Sequence, residues 1–93
     1  MKIMICGIPH KVLEVDNAFN TDAHFGQIDY ADAVIKINSG MPPELKKATL
    51  FHEVLHGWLV HLGYCDLTQD EKFVSSLSIA IYQSCDFKEG GAE

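Results

Sequence analysis

A long apolar segment between Pro43 and Gly63 constrains the fold of this 93-residue chain more than any other feature. Pro43 suits the first turn of a helix because its missing N–H costs nothing there, and Glu44 places a carboxylate at the positive end of the helix dipole. Gly63 is typical of a left-handed cap just beyond a last turn. The sequence therefore predicts a helix from about Pro43 to Leu62, roughly 30 Å long. Apolar residues on most of its circumference predict burial on nearly all sides: Leu50, Phe51, Val54, Leu55, Trp58, Leu59 and Leu62.

This predicted helix contains an H-E-x-x-H pattern made by His52, Glu53 and His56. One helical turn separates the two histidines, so both imidazoles project from one face and can converge on a tetrahedral Zn²⁺, with Glu53 beside them as a potential general base. In an apolar helix these polar groups would cost roughly 1 to 3 kcal/mol each if they were buried without partners. The pattern predicts a metal site.

A catalytic zinc site needs a third protein ligand and an open fourth position for water. His61 lies on the opposite side of the helix from His52 at 100° per residue, so we interpret it as a solvated or partly packed histidine. The extended pattern H-E-x-x-H-x-x-G-x-x-H is excluded because Leu59 and Leu62 stand where it requires a glycine and a histidine. The third ligand should be a carboxylate on the next helix.

That next helix is predicted over about residues 69–84, folded back antiparallel to the first across a short loop. Glu71 is our preferred third ligand and Asp70 the alternative. In the competing interpretation, Thr68 and Glu71 form a capping box in which the Glu71 carboxylate binds the Thr68 backbone N–H. Small or flat side chains that share the stripe of Glu71 would allow close helix approach: Ser75, Ser78 and Tyr82. Gly57, next to His56, also removes bulk where a neighbour could press in.

The first part of the chain predicts a sheet. Residues 2–6 and 11–15 are rich in Ile and Val around a turn-prone break at 7–10, and residues 25–30 and 33–38 alternate around a second break. Two hairpins would give a mainly antiparallel sheet of three to four strands over about 2–38. The predicted fold class is α+β in a single domain of residues 1–93, with a flexible tail over 86–93.

Composition narrows the function classes. Seven lysines and no arginine stand against 13 acidic residues, a formal net charge of −6. This balance argues against nucleic-acid binding and against docking on anionic membranes. Three cysteines, an odd number, predict no disulfide framework and favour a reducing cytoplasm. Four residues could donate a proton to a developing oxyanion, and no spacing rule chooses among them: Tyr30, Tyr64, Tyr82 and His24.

The His52-Glu53-x-x-His56 pattern, with a hairpin before it and a carboxylate-opened helix after it, resembles the gluzincin zincins. Over residues 26–84 the chain looks like the small ImmA/IrrE-type metallopeptidase-like proteins of phages and mobile elements. The resemblance implies that His52, His56 and Glu71 bind zinc and that Glu53 is the general base. It further implies that an edge strand near 33–38 aligns an extended peptide by strand addition. The chain departs from these proteins after Glu71, where Lys72-Phe73-Val74 replaces Ala-Asn and small residues.

The preferred functional hypothesis is therefore a zinc-dependent peptidase of narrow specificity acting on a protein or peptide, with Glu53 as general base. The main rival is a non-catalytic, zinc-stabilised and phage-encoded interaction module, in which the metal holds two helices together. A small binding protein without a metal is the third hypothesis.

Overall fold

The structure, a computed structural model, describes residues 1–16 and 25–84. Four strands form one sheet, and three helices follow it in the chain. The strands are β1 (Lys2–Ile5), β2 (Ile8–Val15), β3 (Gly26–Asp29) and β4 (Val34–Asn38), and the helices are α1 (Pro43–His61), α2 (Cys65–Thr68) and α3 (Glu71–Ser84). The predicted α+β class is confirmed. The predicted flexible tail lies outside the described residues.

Both predicted hairpins are present, but the way they join differs from a simple antiparallel meander. β1 pairs antiparallel with β2, and β3 pairs antiparallel with β4. The two hairpins meet through a parallel pairing of β2 with β4, which gives a mixed sheet in the order β1-β2-β4-β3. The hydrophobic alternation within each strand carries no information on which strands become neighbours, so this central pairing was not predicted.

The first hairpin turns through Cys6 and Gly7, both at positive φ, so β2 starts at Ile8, inside the predicted break. In the second hairpin Ala33 has a positive φ and the Asp29 carboxylate accepts a hydrogen bond from the Asp32 backbone N–H at 3.0 Å. That side-chain bond organises the turn because it satisfies a backbone donor that the sheet does not use.

Helix α1 packs across one face of the sheet and forms the centre of the core. Its bounds agree with the prediction, since it begins at Pro43 and Gly63 follows its last turn with φ +90°. Buried residues from the sheet, from α1 and from the connection between them make the main core cluster: Ile3, Ile5, Ile35, Ile37, Met41, Leu50 and Val54. A smaller cluster joins α1 to α3 through Leu55, Leu59 and Val74. Leu62, predicted to be buried, is 62% exposed because the helix has already ended.

Gly57 lies at a close contact between α1 and the sheet. A Cβ at this position would stand 3.0 Å from a methyl carbon of Ile5 and 3.2 Å from one of Ile28. The prediction that Gly57 admits a neighbouring element is therefore confirmed, and the neighbours are strands β1 and β3. Close packing here fixes the helix, and with it the H-E-x-x-H turn, against the sheet.

Helix α3 packs beside α1, but it starts two residues later than predicted. The short helix α2 occupies the connection, and its single turn was not predicted. Ser78 is buried and Ser75 half-buried at the α1–α3 contact, as expected for a stripe that permits close approach. Tyr82 lies at the far end of this contact, with 5.6 Å between the centroids of its ring and that of Phe51.

Among the described residues, no helix is long and apolar enough to cross a bilayer.

Candidate metal centre

The two histidines of the H-E-x-x-H turn face the same side of α1, as the helical spacing requires. Their rings are 4.9 Å apart between centroids, and the Nε2 atoms of His52 and His56 are 3.2 Å apart. Both side chains are mostly covered, with 25% and 12% of their surfaces exposed. Two imidazole nitrogens therefore converge on one point at the protein surface.

Glu71 reaches this point from the first turn of α3. Its Oε1 is 3.2 Å from Nε2 of His56, and its Oε2 is 3.2 Å from Nε2 of His52. The ligand atoms of the three residues all lie within 4.8 Å of one another, and the group can hold a metal ion. We call His52, His56 and Glu71 the metal group. These are the three residues that the sequence selected.

The structure separates the roles of Asp70 and Glu71. The Asp70 carboxylate accepts a hydrogen bond from the Phe73 backbone N–H at 3.0 Å, and the Asp70 carbonyl accepts one from Val74 N–H. Asp70 is therefore the N-cap of α3, and the competing interpretation, a capping box formed by Thr68 and Glu71, is wrong. Because Asp70 satisfies the helix terminus, the Glu71 carboxylate is free to face the histidines.

Thr68 supports the metal group instead of capping a helix. Its Oγ1 lies 2.7 Å from Nδ1 of His56. A proton on Nδ1 that is donated to this hydroxyl leaves the Nε2 lone pair directed at the metal group, which is the arrangement that metal-binding histidines usually show. This role was not predicted, since nothing in the local sequence pattern links a hydroxyl in α2 to a histidine in α1.

The donor set fits a tetrahedral ion. Zn²⁺ bound by nitrogen and oxygen at 2.0 to 2.1 Å places its ligand atoms roughly 3.3 Å apart. The two histidine Nε2 atoms are 3.2 Å apart, and each is 3.2 Å from a carboxylate oxygen of Glu71. Burial lowers the pKa of His56, and the nearby Glu71 carboxylate opposes that shift. Neutral imidazoles with lone pairs directed at a carboxylate repel one another unless a cation lies among them.

Glu53 lies next to the metal group and is only 8% exposed. Burial, reinforced by the charge of Glu71, raises its pKa from 4.5 to about 7. Gly26 of β3 makes the burial possible, because a Cβ there would stand 2.7 Å from Cγ2 of Thr49 and 3.3 Å from Cγ of Glu53. The close strand holds the glutamate beside the histidines and keeps water away from much of it.

A groove of about 850 Å³ opens at the metal group between β3 and α3. Metal-group residues and Glu53 line it together with Phe25, Tyr30, Ser75 and Ile79, among others. The strand beside the groove is β3, which pairs with β4 and forms one edge of the sheet in the described part of the chain. The strand near 33–38, expected to be the edge, is interior because β2 pairs with its other side. The correction follows from the unpredicted parallel pairing.

The groove also selects among the four candidate oxyanion donors. Tyr30 lines it, and its hydroxyl interacts with the Thr68 side chain. Burial raises the pKa of the Tyr30 hydroxyl, so the phenol keeps its proton at neutral pH. The Tyr82 hydroxyl is 3.5 Å from the backbone carbonyl of Glu44, and Tyr64 is exposed outside the groove. His24 lies outside the described residues.

His61 is remote from the metal group, as predicted. It is half-buried, and its ring contacts that of His10 edge to face with 5.7 Å between centroids. His10 lies on β2, is fully buried, and has its Nδ1 2.9 Å from the Ile8 carbonyl oxygen. This second histidine contact packs the end of α1 against the sheet.

Comparisons with known proteins add no relative. The chain matches no family model, no curated protein and no solved structure. The interpretation of the site consequently depends on the geometry and chemistry of its own residues.

Proposed function

We propose that this protein is a zinc-dependent peptidase in which His52, His56 and Glu71 hold the ion and Glu53 is the general base. One observation carries the proposal: three side chains that can bind a metal, with 3.2 Å separations, lie beside a buried glutamate in an open groove. A purely structural zinc site has four protein ligands and no access. Among the described residues, three candidate ligands and an accessible groove favour catalysis.

Two imidazoles and one carboxylate are a ligand set that suits Zn²⁺ and leaves a coordination position open. The ion, when bound, supplies Lewis-acid polarisation of a water molecule and of the scissile carbonyl. His52 and His56 come from a rigid buried helix, and Thr68 orients His56. Such support holds the ligands in position before any ion binds.

Glu53 acts in proton transfer. Its carboxylate accepts a proton from the water that attacks the peptide carbonyl and then donates this proton to the leaving amine. A general base works best when its pKa is near the operating pH, and burial brings the pKa of Glu53 to about 7. Tyr30 donates its phenolic proton in a hydrogen bond to the oxyanion that develops at the carbonyl.

The edge of β3 aligns the substrate. The Asn38 backbone N–H donates to the Phe25 carbonyl, so Phe25 and Asn38 form a hydrogen-bonded pair at the start of the β3–β4 ladder. Because such pairs alternate in an antiparallel ladder, Gly26 and Ile28 direct their N–H and C=O groups away from β4. An extended protein segment can bind these groups as an added strand beside the metal group.

This function agrees with the resemblance to gluzincins and to ImmA/IrrE-type proteins of phages, which remains part of the proposal. The exposed free thiols of Cys6 and Cys65 suit a reducing compartment such as the cytoplasm. The substrate class is a protein or peptide, with no role for nucleic acid or membrane.

Metal analysis of protein purified without a histidine tag tests the metal site. We expect about one zinc per chain by mass spectrometry, a strong loss in Glu71→Ala and retention in Asp70→Ala. Unchanged zinc affinity in Glu71→Ala would remove Glu71 from the site, and absence of zinc would remove the whole proposal.

Catalysis is tested separately with an intramolecularly quenched peptide library. Glu53→Gln should abolish hydrolysis while zinc content and fold are kept, and the matched control Glu44→Gln, at the exposed start of the same helix, should cleave like wild type. If Glu53→Gln cleaves as fast as wild type, or if wild type cleaves nothing, the zinc-stabilised interaction module replaces the peptidase.

A further inference from the structure

The groove beside the metal group has an apolar rim. Phe25, Tyr30 and Ile79 all line it and are 43%, 38% and 53% exposed. They come from three different parts of the fold: the residue before β3, the turn after β3, and α3. Large exposed apolar side chains around one opening indicate a binding surface, because a ligand that covers them removes apolar area from water.

Smaller side chains lie deeper in the same groove. Thr49 and Ser78 are buried, and Ala48 and Ser75 are half-buried. All four line the groove, two from α1 and two from α3. An apolar rim over a floor of small side chains makes a recess for a bulky side chain. The groove volume of about 850 Å³ lies in the range of sites that enclose a ligand.

Strand addition on β3 would send side chains into this recess at a fixed spacing. Successive side chains of a strand point to opposite faces of the sheet. Gly26 and Ile28, whose backbone groups point away from β4 and would bind the added strand, face the helices, with burial alternating along β3. Every second side chain of a bound segment therefore also points toward α1 and α3, and the residues between them point away.

A carboxylate side chain fits this recess poorly. Between Phe25 and Ile79 it would lose water without gaining a partner, which is unfavourable. It would also approach the carboxylates of Glu53 and Glu71, which line the same groove. An apolar side chain in the same place covers the exposed surfaces of Phe25 and Ile79 and gains the free energy of their burial.

We propose that this groove selects extended protein segments that carry a bulky apolar side chain, such as Phe or Leu, next to the cleaved bond. The inference rests on the proposed peptidase function and adds a substrate class to it. Such segments are buried in most folded proteins, so the substrates are flexible linkers or unfolded chains that expose an apolar residue in extended conformation.

Binding can be measured apart from cleavage with zinc-loaded Glu53→Gln protein. The probes are two blocked ten-residue peptides of alternating Thr and Ser that differ only at one central position, Phe or Glu. In amide NMR titrations we expect the Phe peptide to bind at least about tenfold more tightly, with the largest shifts at residues 25–28 and 79. Equal affinities, or shifts elsewhere on the protein, would overturn the inference.

Ile79→Asp places a charge on the rim and should weaken binding of the Phe peptide by about tenfold. Its matched control is Leu77→Asp, since Leu77 is also an exposed apolar residue of α3 but does not line the groove. Phe25→Ala provides a second rim variant without a charge and should weaken binding in the same direction. No effect in either rim variant, or an equal effect in Leu77→Asp, contradicts the assignment.

The peptidase function and the apolar specificity fail under different outcomes. If the Phe peptide binds in the groove but the wild-type zinc protein does not cleave it or any library peptide, the peptidase proposal fails and the apolar specificity stands. If wild type cleaves library peptides without preference for an apolar residue, the specificity fails and the peptidase proposal stands.

Discussion

Two histidine contacts in this protein have opposite environments. The open pair, His52 and His56, lines a groove, has its Nε2 atoms 3.2 Å apart and faces the Glu71 carboxylate. The closed pair, His10 and His61, lies between the sheet and the end of α1, and the Nε2 atoms of both rings are buried without a hydrogen-bond partner among the described residues. Neither of its members forms an ion pair with a described carboxylate.

The difference shows what makes a histidine pair a candidate metal site. Both pairs bring two rings within 6 Å, so proximity alone does not distinguish them. The open pair adds converging nitrogens, a carboxylate and solvent access, whereas the closed pair adds only packing. A carboxylate ligand compensates part of the charge of a divalent ion, and among the described residues only the open pair has a carboxylate at ligand distance.

The largest expected effect is on zinc affinity. His52→Ala or His56→Ala leaves two ligands and should weaken zinc binding by at least about 1,000-fold, since loss of an outer-shell partner alone costs 10 to 100-fold. His61→Ala should leave the affinity unchanged. Competition with a chromophoric chelator measures both. A comparable loss in His61→Ala would break the distinction between the two pairs.

The next effect is on the pH dependence of stability, because only the open pair has Glu53 beside it. In metal-free protein the folded state binds the Glu53 proton more tightly than the unfolded chain, as the raised pKa of about 7 requires. Glu53 should therefore cost nothing below about pH 4.5 and roughly 3 kcal/mol of unfolding free energy above about pH 7. Stability is lost as pH rises through this window.

Urea unfolding in the presence of a chelator at pH 5, 6, 7 and 8 checks this slope. Glu53→Gln should remove the loss of stability with rising pH. The contribution of His56 then remains, and it has the opposite sign: its lowered pKa makes the unfolding free energy fall as pH drops below the ordinary histidine value of 6.5. An unchanged slope in Glu53→Gln would show that another group produces it.

At the closed pair we expect a smaller effect, on folding stability and not on zinc affinity. His10 is fully buried, so His10→Ala should create a cavity and reduce the unfolding free energy by about 2 kcal/mol without changing zinc affinity. His52→Ala, at a partly exposed side chain, should cost less than about 1 kcal/mol in metal-free protein. Chemical denaturation of both variants measures the contrast, and a reversed order would contradict the packing role of the closed pair.

The smallest effect concerns Thr68, the support of His56. Thr68→Val keeps the shape of the side chain but removes the hydroxyl, and should weaken zinc binding by about tenfold. Thr68→Ser keeps the hydroxyl and serves as the control. Equal zinc affinities in the two variants would mean that the hydroxyl does not orient His56.

Local signals explain which features could be predicted from the sequence. Pro43 and Gly63 determine where α1 begins and ends, and one-turn spacing determines that His52 and His56 share a face. The choice of Glu71 depended on a stripe of small residues on α3, which is again a helical periodicity. All of these arise within a single element or between consecutive elements.

The features that escaped prediction involve contacts between distant residues. The parallel pairing of β2 with β4 depends on the path of the chain between them, and it moves the sheet edge from 33–38 to β3. Helix α3 is capped by Asp70 and not by Thr68, because Thr68 belongs to the turn of α2. The groove has no sequence pattern of its own, since Phe25 and Ile79 become neighbours only through the fold.

Zinc K-edge X-ray absorption tests the central claim most directly, that His52, His56 and Glu71 form one metal site. For protein expressed without a histidine tag, the account predicts only nitrogen and oxygen neighbours at 2.0 to 2.1 Å, with the outer-shell scattering of two imidazoles that is lost stepwise in His52→Ala and His56→Ala. Sulfur scattering near 2.3 Å, or imidazole scattering that survives both substitutions, would contradict it.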